Sequence, residues 1–196
     1  LGRDCQVGWE LQRSLAPLGA VMALSRAEAD LEKPETLGDT VRSNAPDIIV
    51  NAAAYTAGDK AESEPDLAAT VNSHAVRVLA EEAKRLGALL VHYSTDYVFD
   101  GSKSGSYTED DAPNPISAYG RTKLEGDRAI QASGCRYVIF RTSWVYAARG
   151  GNFVKTILRL ARERDELKIV ADQIGAPTSA ELIADVTALC MGFIVH

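Results

Sequence analysis

The sequence predicts an α/β fold, a doubly wound parallel sheet with helices on both faces. Three observations carry that reading. Short apolar runs recur at 21–24, 47–51, 88–95, 137–142 and, more weakly, 168–170. Stretches with helical spacing of apolar residues lie around them at 8–18, 34–44, 65–86, 117–131, 152–164 and 179–191. The run at 47–51 (DIIVN) is continuously apolar rather than alternating, as in a strand covered on both faces. Strands alternating with helices build a parallel sheet layered between them. Residues 100–115, rich in Gly, Ser, Pro and acids, read as a surface loop. Ligands in such folds lie beyond the carboxyl ends of the strands, so function is expected in the loops after DIIVN, HYST and RTSW.

Composition narrows the classes. The chain has 196 residues, enough for one domain with a sizeable core, and 46% of them are apolar. A net charge of −6 argues against nucleic acid or an anionic membrane as partner. Cys5, Cys135 and Cys190 are an odd number without metal-ligand spacing, which fits a reducing cytoplasm better than a disulfide framework. No apolar run approaches the roughly 20 residues of a membrane span, and no secretory leader opens the chain.

Four motifs bear chemistry. Residues 1–8 (LGRDCQVG) place Gly2 and Gly8 around a turn opening a helix, where backbone N–H groups and the helix dipole favour a pyrophosphate; an ordinary loop is the plain alternative. Asn51 to Thr56 (NAAAYT) follow a buried strand, and small side chains such as Ala53 let a flat ligand lie against the backbone; a tight strand–helix junction would look the same. Residues 92–101 (HYSTDYVFDG) put hydroxyls at a strand end, where they bond either a carbonyl or turn amides. Tyr119 and Lys123, four apart, share one helix face. A cation beside a phenol lowers a pKa that is otherwise about 10, so that the phenol can exchange a proton with a carbonyl oxygen. A solvated helix face explains many such pairs, but here the four motifs follow the order a ketone-reducing nicotinamide enzyme needs.

These residues resemble the extended short-chain dehydrogenase/reductase superfamily and, within it, the dTDP-4-dehydrorhamnose reductases. QVGWELQ, VNAAAYT followed by DKAE, STDYVFDG, YGRTKLEGD, RTSWVY, GNF and DQIGAPTSAEL carry the likeness over nearly the whole chain. The resemblance implies a Rossmann-like, NAD(P)-binding domain at 1–145 and, at 146–196, the start of a substrate-binding lobe. It implies Thr95, Tyr119 and Lys123 as the catalytic triad. Thr95 would orient the C4 carbonyl, Tyr119 would donate the proton, and Lys123 would hold the nicotinamide ribose and keep the phenol acidic. Asp96, Tyr97 and Trp144 would contact the sugar. Gln6, Val7, Asp30, Leu31, Ala54, Tyr55, Thr56 and Tyr93 would line the cofactor with Gly2, Gly8 and Ala53. The substrate would be dTDP-4-dehydro-L-rhamnose and the product dTDP-L-rhamnose, for cell-surface polysaccharide. The likeness also implies a homodimer and Mg2+ held between subunits, with Glu10 and Glu181 matching two ligand positions; exposed helix glutamates are the plain alternative.

The chain departs from the pattern at several places. Cys5 replaces the middle glycine of the phosphate turn, which costs roughly 1 kcal/mol if that position needs a positive φ. Gly58 stands where the family carries an aliphatic residue. Ser25-Arg26 replace the acid that would grip the ribose 2′-hydroxyl, so NADPH is expected to serve at least as well as NADH. The first strand is expected to be missing before Leu1 and most of the smaller lobe after His196, so the 196-residue polypeptide alone is expected to be inactive. A reading from another class is a non-catalytic nucleotide-binding subunit, like the regulatory subunit of methionine adenosyltransferase, which the altered glycine turn would suit.

Overall fold

A computed structural model describes residues 1–195. In chain order the helices are α1 (Gln6–Leu15), α2 (Pro34–Asn44), α3 (Gly58–Ala61), α4 (Pro65–Ala69), α5 (Ala75–Leu86), α6 (Ala118–Ser133), α7 (Phe153–Glu163) and α8 (Ala180–Val195). The strands are β1 (Ile48–Asn51), β2 (Leu89–Thr95), β3 (Arg136–Thr142), β4 (Val145–Tyr146) and β5 (Thr178–Ser179). The chain divides into two compact units, one of residues 1–2 and 24–141, the other of residues 3–23 and 142–196.

The first unit holds a three-stranded sheet in the order β1-β2-β3. β1 and β2 are parallel, with Ile48 opposite Leu89 and Asn51 opposite His92. β2 is buried at nearly every position, so it needs apolar residues on both faces and tolerates polar ones only where partners await them. Leu37 from α2, Val76 and Leu79 from α5, Leu90 from β2 and Ile130 from α6 form the core. Truncating such a side chain to Ala costs about 2–5 kcal/mol.

The helix expected over 65–86 is α4 and α5 joined by a π turn, Thr70–His74. Gly87, at φ 69°, ends α5 in the left-handed conformation that a glycine adopts without strain. α6 begins at Ser117, whose hydroxyl accepts from Gly120 N at 3.1 Å.

In the second unit α1 packs on α8, and β4 runs parallel to β5. Two expected strands do not form. Residues 21–24 and 168–170 pair with no strand among the described residues, and an apolar run without a ladder partner stays irregular. Residues 100–115 contain no helix or strand, as expected.

Candidate active site

The polar side chains converge where β2 ends. Ser94 and Thr95 are its last residues, both buried, and a 3-10 turn, Asp96–Val98, follows at once. Thr95 Oγ1 caps that turn, accepting from Tyr97 N at 3.2 Å and donating to Asp96 Oδ1 at 3.2 Å. The first turn of α6 lies against it. Gly120 makes that approach possible, since a Cβ there would stand 2.2 Å from the Tyr97 carbonyl oxygen. Tyr119 is thereby set edge-on to the Tyr97 ring, with centroids 5.7 Å apart, and its phenol lies beside the Thr95 side chain.

Burial pushes the Tyr119 phenol up to about 12, and the Thr95 hydrogen bond only partly offsets this, while Asp96, Tyr97 and Asp127 push the same way. The lowering expected from Lys123 is not expressed. Lys123 Nζ turns away, donating to the Tyr93 carbonyl at 2.7 Å and meeting His92 Nε2 at 3.0 Å. Tyr119 therefore stands protonated, the form that a ketone reduction consumes.

Lys123 is 1% exposed. Burial brings its pKa down to about 8, against the raising effect of Asp127. Asp127, one turn further along α6, is also buried and accepts from Ser94 Oγ at 2.7 Å, with Arg141 Nε 3.9 Å away. Burial raises its pKa, which Ser94, Lys123 and Arg141 work against.

The NAAAYT loop is clamped from the π turn. Asn72 Oδ1 accepts from Tyr55 N at 2.9 Å, and its Nδ2 donates to the Tyr55 carbonyl at 3.1 Å. Tyr55 OH donates to Glu64 Oε2 at 2.6 Å, and that bond first of all pushes its phenol up to about 12. Thr56 is exposed, Ala54 half-buried, and Ala53 packs against the core. Gly2, at φ 80°, approaches this loop so closely that a Cβ would lie 2.8 Å from Ala53 N. Glycine here lets two backbone segments pack in contact at the end of β1.

Ser25 is buried, and both its N–H and its hydroxyl donate to Glu28 Oε2, at 2.9 and 2.7 Å. Arg26 reaches Asp30 at 3.4 Å and Glu32 at 2.5 Å. Leu31 belongs to the core. The Tyr93 ring stacks on Phe140 with centroids 6.0 Å apart.

The second unit holds the remaining candidates. Gln6, Val7 and Gly8 form the first turn of α1, and Gln6 Oε1 accepts from Asn152 Nδ2 at 3.1 Å. Cys5 precedes the helix at φ −72°, ordinary extended backbone, so the strain expected of a side chain there is not incurred. Trp144 does adopt a left-handed conformation, φ 45°, which is strained for a bulky residue. Its ring lies flat on Gly175, where a Cβ would stand 2.6 Å from Cε2. Glu10 and Glu181 both act on Arg13, Glu10 through an ion pair at 3.8 Å, and both add to the Asp185 hydrogen bond that raises its pKa. The magnesium expectation gains nothing from this: among the described residues no group of three or more His, Cys, Asp or Glu could hold a metal ion.

Sequence reasoning missed Asn72 and Asp127 and gave no role to Asn51 or His92. The opposition of Asn51 and His92 follows from the register of two strands, and the one available signal was that each stands at or near the end of a buried run.

Comparison with known proteins places the chain in a family. The family model described as the RmlD substrate binding domain matches residues 1–195. A dTDP-4-dehydrorhamnose reductase of Burkholderia thailandensis is 59% identical over 187 residues, covering 95% of this chain and 63% of its own. That of Escherichia coli K12 is 54% identical over 191 residues, with 95% and 64% covered. The chain thus spans under two thirds of these relatives' length. Among solved structures, a dTDP-4-dehydrorhamnose reductase from Clostridium acetobutylicum superposes with a TM-score of 0.94 at 39% identity, covering all of this chain and 70% of its own. One from Bacillus anthracis in complex with NADP gives 0.89 at 37%, with 100% and 68% covered. The sequence pattern, the parallel sheet and these matches together assign the chain to the RmlD substrate-binding-domain family.

Proposed function

We propose that the whole protein reduces the C4 ketone of dTDP-4-dehydro-L-rhamnose to the alcohol of dTDP-L-rhamnose, using NADPH or NADH. The observation that carries this is the half-buried Tyr119 phenol, protonated and beside Thr95 at the carboxyl end of β2, with Lys123 one turn along the same helix. Reductases 54–59% identical to this chain, and the NADP complex of one structural relative, support the reading.

When bound, the reduced nicotinamide would supply a hydride to C4. The protein supplies the rest. Thr95 Oγ1 orients the carbonyl, and the Tyr119 O–H gives its proton to the C4 oxygen as that oxygen becomes anionic. Lys123, as an ammonium, holds the nicotinamide ribose beside the phenol. Asp96, Tyr97 and Trp144 contact the sugar. Gly2, Gln6, Val7, Gly8, Ser25, Arg26, Asp30, Leu31, Ala53, Ala54, Tyr55, Thr56 and Tyr93 line the cofactor. Residues 1–145 serve as the cofactor domain and 146–196 as the start of the sugar lobe.

Cytoplasmic placement belongs to the same proposal and is supported by three free cysteines. So does a homodimer. Among the described residues no helix is long and apolar enough to cross a membrane. The regulatory-subunit alternative loses its main support with the relaxed backbone at Cys5.

A coupled assay tests the function. The substrate is generated in place by the epimerase, and loss of NADPH or NADH absorbance is followed. Oxidation that depends on the sugar nucleotide, with dTDP-L-rhamnose as product, is the expected result. Its absence from whole protein of verified mass would remove the proposal.

A further inference from the structure

Behind Lys123 lies a hydrogen-bonded row that the proposed chemistry has not used. Asn51 closes β1, His92 stands opposite it in β2, and Lys123 reaches His92 from α6. All three are buried, the imidazole completely. The row has a direction. The Ala53 N–H donates to Asn51 Oδ1 at 3.2 Å, which orients that amide and leaves its Nδ2 facing His92 Nδ1 at 3.2 Å. An amide Nδ2 can only donate, so Nδ1 must be the bare, accepting nitrogen, and the single imidazole proton sits on Nε2. Nε2–H then points at Lys123 Nζ, 3.0 Å away. A neutral amine satisfies this bond with its lone pair and still donates to the Tyr93 carbonyl. An ammonium has no lone pair, and two donors would face each other in a dry site.

We propose that Asn51 and His92 are positioning residues which, by holding the imidazole proton on Nε2, favour the neutral amine of Lys123 and so set the pH at which the reductase loses its ammonium. The kinetic part of this inference rests on the proposed reductase activity; the tautomer does not. The other groups facing Lys123 and its neighbours are Tyr119 and Asp127 on α6, Asp96 and Tyr97 on the 3-10 turn, and Arg141 on β3 beside Asp127. Of these Asp127 acts on Lys123, and it favours the ammonium. Burial lowers the His92 pKa well below the ordinary imidazole range, and Lys123 lowers it further, so the ring is neutral and only its tautomer is in question. A lysine that titrates near the working pH can be used in both forms.

The test has two arms on the whole protein. In the first, long-range proton–nitrogen NMR of 15N-histidine protein without cofactor, assigned with a His92→Leu variant, reads the His92 tautomer above the pH at which Lys123 titrates. Nε2–H with a bare Nδ1 is expected; Nδ1–H or a doubly protonated ring overturns the proposal. In the second, Asn51→Leu frees the tautomer, so Nε2 can accept from an ammonium. The midpoint of Lys123 titration, read from the ring, should rise by about one pH unit, and the alkaline limb of kcat/KM should follow it. A lower rate with both midpoints unmoved is what a merely structural Asn51 gives, and it refutes the coupling. If the wild type shows the Nε2–H tautomer and the Asn51→Leu shift of the ring but no turnover, the network stands and the reductase reading falls.

Discussion

The two cations that the sequence directs toward a cofactor sit in opposite surroundings. Lys123 is 1% exposed, its Nζ held by a backbone carbonyl and a neutral imidazole. The Arg26 side chain is 70% exposed, and two carboxylates, Asp30 and Glu32, already answer its charge. Around Lys123 water is excluded, so a single hydrogen bond or a single charge moves its proton affinity strongly. Around Arg26 solvent and salt screen every partner, and each ion pair is worth at most about 1 kcal/mol. The first environment suits chemistry and the second suits selection between similar ligands.

Changes at the two places should therefore differ in size. Lys123→Met is expected to lower kcat by about a hundredfold or more, the scale of a lost acid–base partner. The same change should alter stability in a pH-dependent way. With a folded pKa of about 8 against roughly 10.4 unfolded, the unfolded chain binds a proton that the folded chain lacks between those values. Stability from this group therefore rises as pH increases across that window, by up to about 3 kcal/mol. Urea unfolding of the wild type at several pH values should show that rise relative to Lys123→Met. An equal pH slope in both proteins would mean that Lys123 is not perturbed.

Gly120→Ala comes next. The added methyl group would meet the Tyr97 carbonyl, backbone that cannot easily yield. A cost of roughly 1–3 kcal/mol in stability is expected, with a fall in kcat because Tyr119 is the neighbouring residue. Thermal unfolding and turnover check it together, and an unchanged Tm would show that the two turns are looser than the structure has them.

The smallest effect is expected at the exposed cation. Arg26→Ala should reduce kcat/KM with NADPH by a few-fold and leave NADH nearly untouched, since one screened cation is worth at most about 1 kcal/mol. For the wild type the two cofactors should be used comparably, or NADPH preferred; Glu28, whose carboxylate bonds Ser25, is the group that would tilt the balance toward NADH. Ratios of kcat/KM decide, and a strong NADH preference would contradict the reading of Ser25-Arg26.

Much of this was legible in the residues. Tyr119 and Lys123 share a helix face by spacing alone, and Thr95 ends the run ALLVHYST that reads as a strand. The charge states were not legible. Expecting Lys123 to acidify Tyr119 assumed that Nζ points at the phenol, whereas it lies against His92 Nε2 and donates to the Tyr93 carbonyl. Asn51 and His92 are 41 residues apart, and only the register of β1 against β2 makes them neighbours. Apolar runs at 21–24 and 168–170 read as strands because composition does not reveal whether a ladder partner exists. β4 and β5, two residues each, are too short to show a period. Cys5 taught the opposite lesson: a break in a glycine pattern costs no backbone strain where the backbone is ordinary.

The central claim is that the Tyr119 phenol gives the proton, and Tyr119→Phe tests it most directly. The variant keeps the ring that packs on Tyr97 and removes only the O–H. In the coupled assay, kcat should fall by about two orders of magnitude or more, with NADPH binding, read by titration of its fluorescence, unchanged. If the variant turns over within a few-fold of the wild type, the proton comes from elsewhere and the account of the site is wrong.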